Sequence, residues 1–209
     1  MTTTFILIRH GETEWNREGR IQGHLDSPLT PTGIEQATAC AHRLKAEAID
    51  HMIASDLPRV KHTALILAAS VVAPIEFDTA LRERCYGIGE GMTFAELDAI
   101  HPEMYSSLRT TDPDFTVEGG ESRRQFHDRI TRAMRAIADA HPGKRVLVVT
   151  HGGVLGVIYR WLKKLPIATA YKVDSPNVAY NRVVHCSGNW TLEAWADTDH
   201  LTVRTFEVG

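Results

Sequence analysis

Two histidines stand out for where they fall. His10 follows the short apolar run Thr4-Phe5-Ile6-Leu7-Ile8 and the charged Arg9, and Gly11 comes next. His151 follows Arg145-Val146-Leu147-Val148-Val149-Thr150 and precedes Gly152-Gly153. Each run reads as a buried strand, and charged residues with glycine at the end of such a strand mark the usual position of an α/β active site. If the two strands are neighbours in one parallel sheet, their carboxyl ends share an edge. Arg9, His10 and His151 then meet Arg59, which sits near the start of a predicted helix. Two guanidinium forks and a helix N-terminus suit a dianionic phosphoryl group. The same cations disfavour imidazolium, which keeps a histidine neutral and nucleophilic at pH 7. Glu83 closes Leu81-Arg82-Glu83 at the end of an extended segment and is the candidate acid for the leaving oxygen. Beside a bound phosphoryl group it meets like charge, which suits it to carry a proton, release it, and then activate water. The chemistry these groups suit is phosphoryl transfer, with a neutral histidine at this edge as the nucleophile.

The elements that must position these groups follow from periodicity. Ile34, Ala37, Ala41, Leu44 and Ala48 recur at helical spacing. A strand is predicted at 51–54 and a helix at 57–69, with Ser55 and Asp56 as cap candidates and Pro58 in the first turn. Residues 75–82 read as extended. Residues 83–121 are rich in glycine and proline, with one short helix near 94–100, and such an excursion reads as a functional lid. Ser122 opens a long helix striped by Phe126, Ile130, Ala133 and Ile137. A strand at 145–150 leads into a helix through Ile158 and Trp161, and three tail strands are predicted near 179–186, 190–195 and 202–207. The reading is α/β: a three-layer α/β/α sandwich with a mainly parallel sheet, one domain over 1–209 with a lid-like insertion at about 84–121.

Composition narrows the partners. The chain has 209 residues, 43% of them hydrophobic, which suits one domain with a full core. A net charge of -3 points to neither nucleic acid nor an anionic membrane surface, so phosphate recognition must be local. No stretch approaches the roughly 20 apolar residues of a membrane span, and Met1 to Phe5 lacks the features of a signal peptide. Cys40, Cys85 and Cys186 are widely spaced and read as reduced thiols of a cytoplasmic protein. The other histidines form no HxxxH or HxH pair, so no metal ligand set is expected. Arg123, Arg124, Arg129, Arg132 and Arg135 read as a solvated helix face. The tail strands offer a surface through which a homodimer could form.

Five blocks in order resemble the histidine phosphatase superfamily, also called phosphoglycerate mutase-like, over nearly the whole chain. They are Arg9-His10-Gly11-Glu12-Thr13-Glu14-Trp15-Asn16 with Gly19-Arg20-Ile21-Gln22-Gly23 and Asp26; Ser55-Asp56-Leu57-Pro58-Arg59 with Thr63-Ala64; Leu81-Arg82-Glu83 with Tyr86-Gly87 and Glu90-Gly91; Gly119-Gly120-Glu121-Ser122; and Val149-Thr150-His151-Gly152-Gly153. Val60-Lys61-His62 departs from the alanine that often follows the arginine of the second block, while leaving Arg59 in place. The resemblance implies that His10 becomes phosphorylated, that Arg9, Arg59 and His151 hold the phosphoryl oxygens, and that Glu83 is the acid and base. Asn16, Gln22 and Gly23, with Tyr86 and Gly152, are implied as further contacts to phosphate or substrate. It implies no metal and no cofactor, since cations of the protein fill the place a magnesium ion takes elsewhere. The favoured activity is hydrolysis of a small phosphorylated metabolite, a phosphomonoester. A cofactor-dependent phosphoglycerate mutase uses the same residues and is the alternative: Glu83-Arg84-Cys85-Tyr86-Gly87 resembles the mutase form of the third block, and Gly89-Glu90-Gly91 the phosphatase form. Against the mutase, Arg109 is the sole arginine or lysine between Gly91 and Gly119. A non-catalytic phosphate-binding domain is the third reading.

Overall fold

The computed structural model describes residues 1–109, 112–168 and 173–201. In chain order they form β1 (Thr2–Arg9), α1 (Glu14–Glu18), α2 (Pro31–Leu44), β2 (His51–Ala54), α3 (Pro58–Ala68), β3 (Ile75–Phe77), α4 (Phe94–Ile100), α5 (Pro102–Arg109), α6 (Arg123–Ala140), β4 (Arg145–Thr150), α7 (Gly152–Leu162), β5 (Tyr180–Cys186) and β6 (Asn189–Asp197). The strands make one six-stranded sheet in the order β3-β2-β4-β1-β5-β6. β3, β2, β4 and β1 run parallel, and β5 and β6 are antiparallel.

Period-two alternation divides each strand between two cores. Ile6, Ile8, Met52, Leu147 and Val149 pack with Ala37, Ala41 and Leu44 of α2 and Val60, Ala64 and Leu67 of α3. Phe5, Leu7, Ile53, Val146 and Val148 face the other way, against Phe126, Ile130 and Met134 of α6 and Val154, Leu155 and Ile158 of α7. Because both faces are covered, β1 and β4 carry unbroken apolar runs. The three-layer sandwich with a mainly parallel sheet is therefore the architecture.

Local chemistry explains where elements begin. Thr30 caps α2 by accepting from the Gly33 N–H at 2.9 Å, with Pro31 in the first turn. Ser122 caps α6 in a reciprocal box with Gln125. The caps expected for α3 do otherwise: its N-cap is Leu57, with no side-chain cap bond. Ser55 is bonded to His151, and Asp56 is paired with Arg82. The 75–82 segment is strand only to Phe77, then a 3₁₀ turn at Thr79–Leu81 held by Asp78. Two short helices were not expected. α1 is closed by a Thr13–Asn16 capping box, and α5 begins at Pro102, where a breaker serves as the first helical residue. The excursion over 84–121 has a small apolar cluster of its own, Leu97, Met104, Leu108 and Val117, together with Ile21. The strand predicted near 202–207 lies outside the described residues.

Candidate active site

The sheet register brings the two histidines side by side. β1 and β4 pair in parallel with Arg9 opposite Thr150, and the His10 N–H donates to the Thr150 carbonyl at 2.9 Å. The next residue on each strand is a histidine, and the two rings meet edge to face with centroids 5.5 Å apart. His10 is 3% exposed, His151 0%, Arg59 2% and Arg9 7%. The His10 Nδ1–H donates to the Gly11 carbonyl at 2.8 Å, because a carbonyl can only accept. In the neutral ring the lone pair is therefore on Nε2. His151 is oriented at both nitrogens. Its Nδ1 accepts from Arg59 at 3.2 Å and its Nε2–H donates to Ser55 Oγ at 2.9 Å.

Arg59 is threaded between carbonyls and one carboxylate. It donates to Gly23 O and Leu25 O, each at 2.8 Å, and to Asp26 Oδ1 at 2.9 Å. Arg9 donates to Ser175 O at 2.9 Å, close to the N-terminus of α7: a Cβ on Gly152 would stand 3.3 Å from its Nε. Burial, and then the charges of Arg59 and Arg9, hold the His10 pKa well below its ordinary value. Burial does the same to His151, followed by Arg59, His10, Arg9 and His24. Both rings are therefore neutral at pH 7, beside two guanidiniums.

Glu83 reaches this edge from the 3₁₀ turn. Its Oε2 accepts from the Gly153 N–H and its Oε1 from the Arg84 N–H, both at 2.8 Å. Close approach to α7 requires glycine there, since a Cβ on Gly153 would lie 2.2 Å from Glu83 Oε1. Gly23 is needed twice over: its φ is +56°, and a Cβ would fall 2.0 Å from Glu90 Oε1. Gln22 is 8% exposed, and its Oε1 has no hydrogen-bond partner among the described residues, so a buried acceptor is left for water or ligand. Asn16 serves the α1 cap and accepts from Asn177 at 3.5 Å. Tyr86 and Gly152 line a cavity of about 630 Å³ that adjoins Glu83.

Several supporting residues had no role assigned from sequence. Asp26, Ser55 and Thr63 lay inside the recognised blocks, but spacing does not say what they hold: Asp26 pairs with Arg59, Ser55 with His151, and Thr63 Oγ1 accepts from the Gly11 N–H at 3.1 Å. Asn177 and Arg129 carried no such signal. Asn177 donates to the His10 carbonyl at 2.9 Å, beside Val178, a β-branched residue at φ +50° whose strain the packing must hold. Arg129 does not belong to a solvated face: it donates to the carbonyls of Ala80, Arg82 and Glu83 and to the Glu121 carboxylate. His24 is bonded to the Glu83 carbonyl at 3.0 Å. Lys61 and His62 are exposed.

The arrangement offers a neutral nitrogen nucleophile, two cations and a carboxylate at one sheet edge. The profile of the histidine phosphatase superfamily (branch 1) matches residues 5–198. The chain is similar to phosphoglycerate mutase-like protein 4 of Arabidopsis thaliana, 39% identical over 206 residues that span 96% of this chain and 88% of that protein. It is equally similar to the metal-independent phosphoserine phosphatase of Arabidopsis thaliana, 39% identical over 203 residues, 96% of this chain and 84% of that protein. Among solved structures, YhfR of Bacillus stearothermophilus superposes with a TM-score of 0.89 at 31% identity, covering 95% of this chain and 98% of the other.

Proposed function

The chain belongs to the histidine phosphatase superfamily, and from that membership and the geometry of its sheet edge we propose that it is a metal-independent phosphatase acting on a small phosphomonoester through a phosphohistidine at His10. The observation that carries the reading is the His10 ring, whose Nδ1–H is tied to Gly11 and whose Nε2 is left as a neutral lone pair beside Arg9 and Arg59. His10 Nε2 attacks phosphorus as the ester P–O bond breaks, and Glu83 gives its proton to the leaving oxygen. Glu83, now a carboxylate, takes a proton from water; the hydroxide attacks phosphorus, the N–P bond breaks, and phosphate leaves. Charge on the equatorial oxygens is met by Arg9, Arg59 and His151. To donate to an oxygen, His151 must carry its proton on Nδ1; the Arg59 N–H that donates to Nδ1 then turns to the phosphoryl oxygen, and the Ser55 hydroxyl permits the shift because it can donate to Nε2 as well as accept from it. Asn16, Gln22 and Gly23 line the phosphate side, with Tyr86 and Gly152 toward the leaving group. In this reading the protein is one domain, and residues 84–121 act as its lid.

The similarity to a phosphoserine phosphatase supports hydrolysis. The mutase alternative has its own support in the Glu83-Arg84-Cys85-Tyr86-Gly87 block and the mutase-like relative. No helix among the described residues is long and apolar enough to cross a membrane. Its three free thiols support work in the cytoplasm, and the antiparallel edge at β6 supports a homodimer. The test is turnover of p-nitrophenyl phosphate in excess EDTA. The native chain is expected to be active and to form an acid-labile phosphoenzyme, and His10→Ala to lose both. Full turnover in His10→Ala would remove the mechanism. Interconversion of 2- and 3-phosphoglycerate with 2,3-bisphosphoglycerate present, with little phosphate released, would replace hydrolysis by the mutase.

A further inference from the structure

Three successive peptide units surround the nucleophile, and each is held at both of its polar ends. In the Arg9–His10 unit, the carbonyl accepts from the Val178 N–H at 3.2 Å and the N–H donates to the Thr150 carbonyl at 2.9 Å. In the His10–Gly11 unit, the carbonyl accepts from Asn177 Nδ2 at 2.9 Å and the N–H donates to Thr63 Oγ1 at 3.1 Å. In the Gly11–Glu12 unit, the carbonyl accepts from the His10 ring at 2.8 Å and the N–H donates to Gln36 Oε1 at 3.0 Å. β1 ends at Arg9, so past His10 side chains take the place of the sheet ladder. They come from three separate segments: Gln36 from α2, Thr63 from α3 and Asn177 from the stretch before β5. All three are buried.

Satisfying loop backbone is the plain use of buried polar side chains. Here the same bonds also decide where one carbonyl points. In a trans peptide the N–H and the C=O face opposite ways. With the Glu12 N–H fixed on Gln36, the Gly11 carbonyl is therefore aimed back at the His10 ring. Thr63 fixes the preceding plane. Its hydroxyl proton goes to the Arg59 carbonyl at 2.8 Å, which leaves its oxygen to accept from the Gly11 N–H and ties that peptide to the helical turn carrying Arg59. The loop has no slack on the α2 side: a Cβ on Gly11 would lie 2.4 Å from the Gly33 carbonyl oxygen. A neutral imidazole has one N–H and one lone pair. While Nδ1–H has the Gly11 carbonyl to donate to, the lone pair stays on Nε2. If that carbonyl turns away, the proton can move to Nε2 and the nucleophile is lost.

We propose that Gln36, Thr63 and Asn177 are positioning residues for the nucleophile: by fixing the peptide planes on either side of Gly11 they aim its carbonyl at His10 Nδ1 and keep the reactive lone pair on Nε2. That role presupposes the phosphatase reading and deepens it.

Two measurements test it. NMR of the histidine ring nitrogens reads the tautomer. The native chain is expected to carry the His10 proton on Nδ1, and Gln36→Met, Thr63→Val and Asn177→Asp to show a share of it on Nε2; the aspartate only accepts, so it cannot donate to the His10 carbonyl. Single-turnover phosphorylation of His10 by p-nitrophenyl phosphate reads the reaction. Each variant, checked by melting temperature, is expected to be slower by about tenfold or more at saturation, with half-saturation nearly unchanged. Thr63→Ser keeps the hydroxyl and should recover most of the rate. Native tautomer and native rate in the folded variants overturn the proposal and leave the phosphatase standing, as does a loss that lies wholly in substrate affinity. A native His10 with its proton on Nε2 overturns it without any variant. No phosphate on His10 in the native chain overturns both readings, even with the expected tautomer.

Discussion

The phosphoryl floor and the neighbouring cavity are both cationic, yet they are built differently. On the floor, Arg59 is fixed by the Asp26 carboxylate and two carbonyls, and it in turn orients His151. The groups lie at the ends of β1 and β4, where the parallel register leaves little freedom. In the cavity, Arg84 and Arg123 each donate to a carbonyl, Arg84 also stacks over Tyr86, and they come from the excursion and a helix start. A phosphoryl group is the same in every ester, so its site can be rigid before substrate arrives. A leaving group differs between esters, and the cavity that adjoins Glu83 is walled by side chains from separate segments, among them Arg84, Phe94, Phe126 and Val157. The floor should therefore act alike on all substrates, and the cavity should discriminate.

The largest expected effect tests the floor. Arg59→Met removes a buried transition-state cation and is expected to lower kcat/KM about 10³-fold for every ester alike. It also shifts pH dependence. Burial and then Arg59 hold the His10 pKa down, so loss of that charge raises it. Protonated His10 has no lone pair on Nε2, and the acid limb of kcat/KM therefore moves to higher pH. Arg59→Lys, which keeps a charge, should leave the limb nearer its native position. An unmoved limb, or a loss confined to some esters, would break the contrast between floor and cavity.

The same contrast explains what was legible in the sequence. The floor could be read because apolar runs ending in Arg-His-Gly and Thr-His-Gly-Gly specify a strand, its end and a charge together. Both faces of those strands are buried, so periodicity and burial agreed. Asp26 and Ser55 escaped assignment because their partners, Arg59 and His151, are 33 and 96 residues away in sequence. Ser55 even read as a helix cap, since a cap and a histidine partner use the same hydroxyl. The cavity was illegible for another reason. Arg123 and Arg129 share a run with solvated arginines, and only the packing of α6 turns Arg123 to the cavity and Arg129 beneath the Glu83 loop. α5 was lost because a proline that starts a helix looks like one that stops it.

Glu83 stands on the boundary between the two regions, and its replacement should show both behaviours. Glu83→Gln is expected to lower kcat about 10²-fold for alkyl esters, which need a proton on the leaving oxygen. p-Nitrophenyl phosphate needs none, so its first step should be nearly spared, giving a burst of nitrophenol and a phosphoenzyme that accumulates because water is no longer activated. Equal losses for both kinds of ester, with no burst, would place Glu83 outside the proton transfer.

The smallest effect sharpens the floor at its least obvious member. Ser55 is fully buried and touches the site through one bond, 2.9 Å to His151 Nε2. Ser55→Ala strands a buried N–H and removes the donor that would let His151 put its proton on Nδ1 beneath a phosphoryl oxygen. Leaving such a group unpaired costs about 1–3 kcal/mol, which corresponds to roughly a fivefold or greater loss in kcat/KM if the bond matters in the transition state. Ser55 is far from any leaving group, so that loss should be the same for phosphoserine, phosphoethanolamine and phenyl phosphate. Should Ser55→Ala instead change their ratios, the floor and the cavity would be coupled through α7, and the division drawn between them would fall.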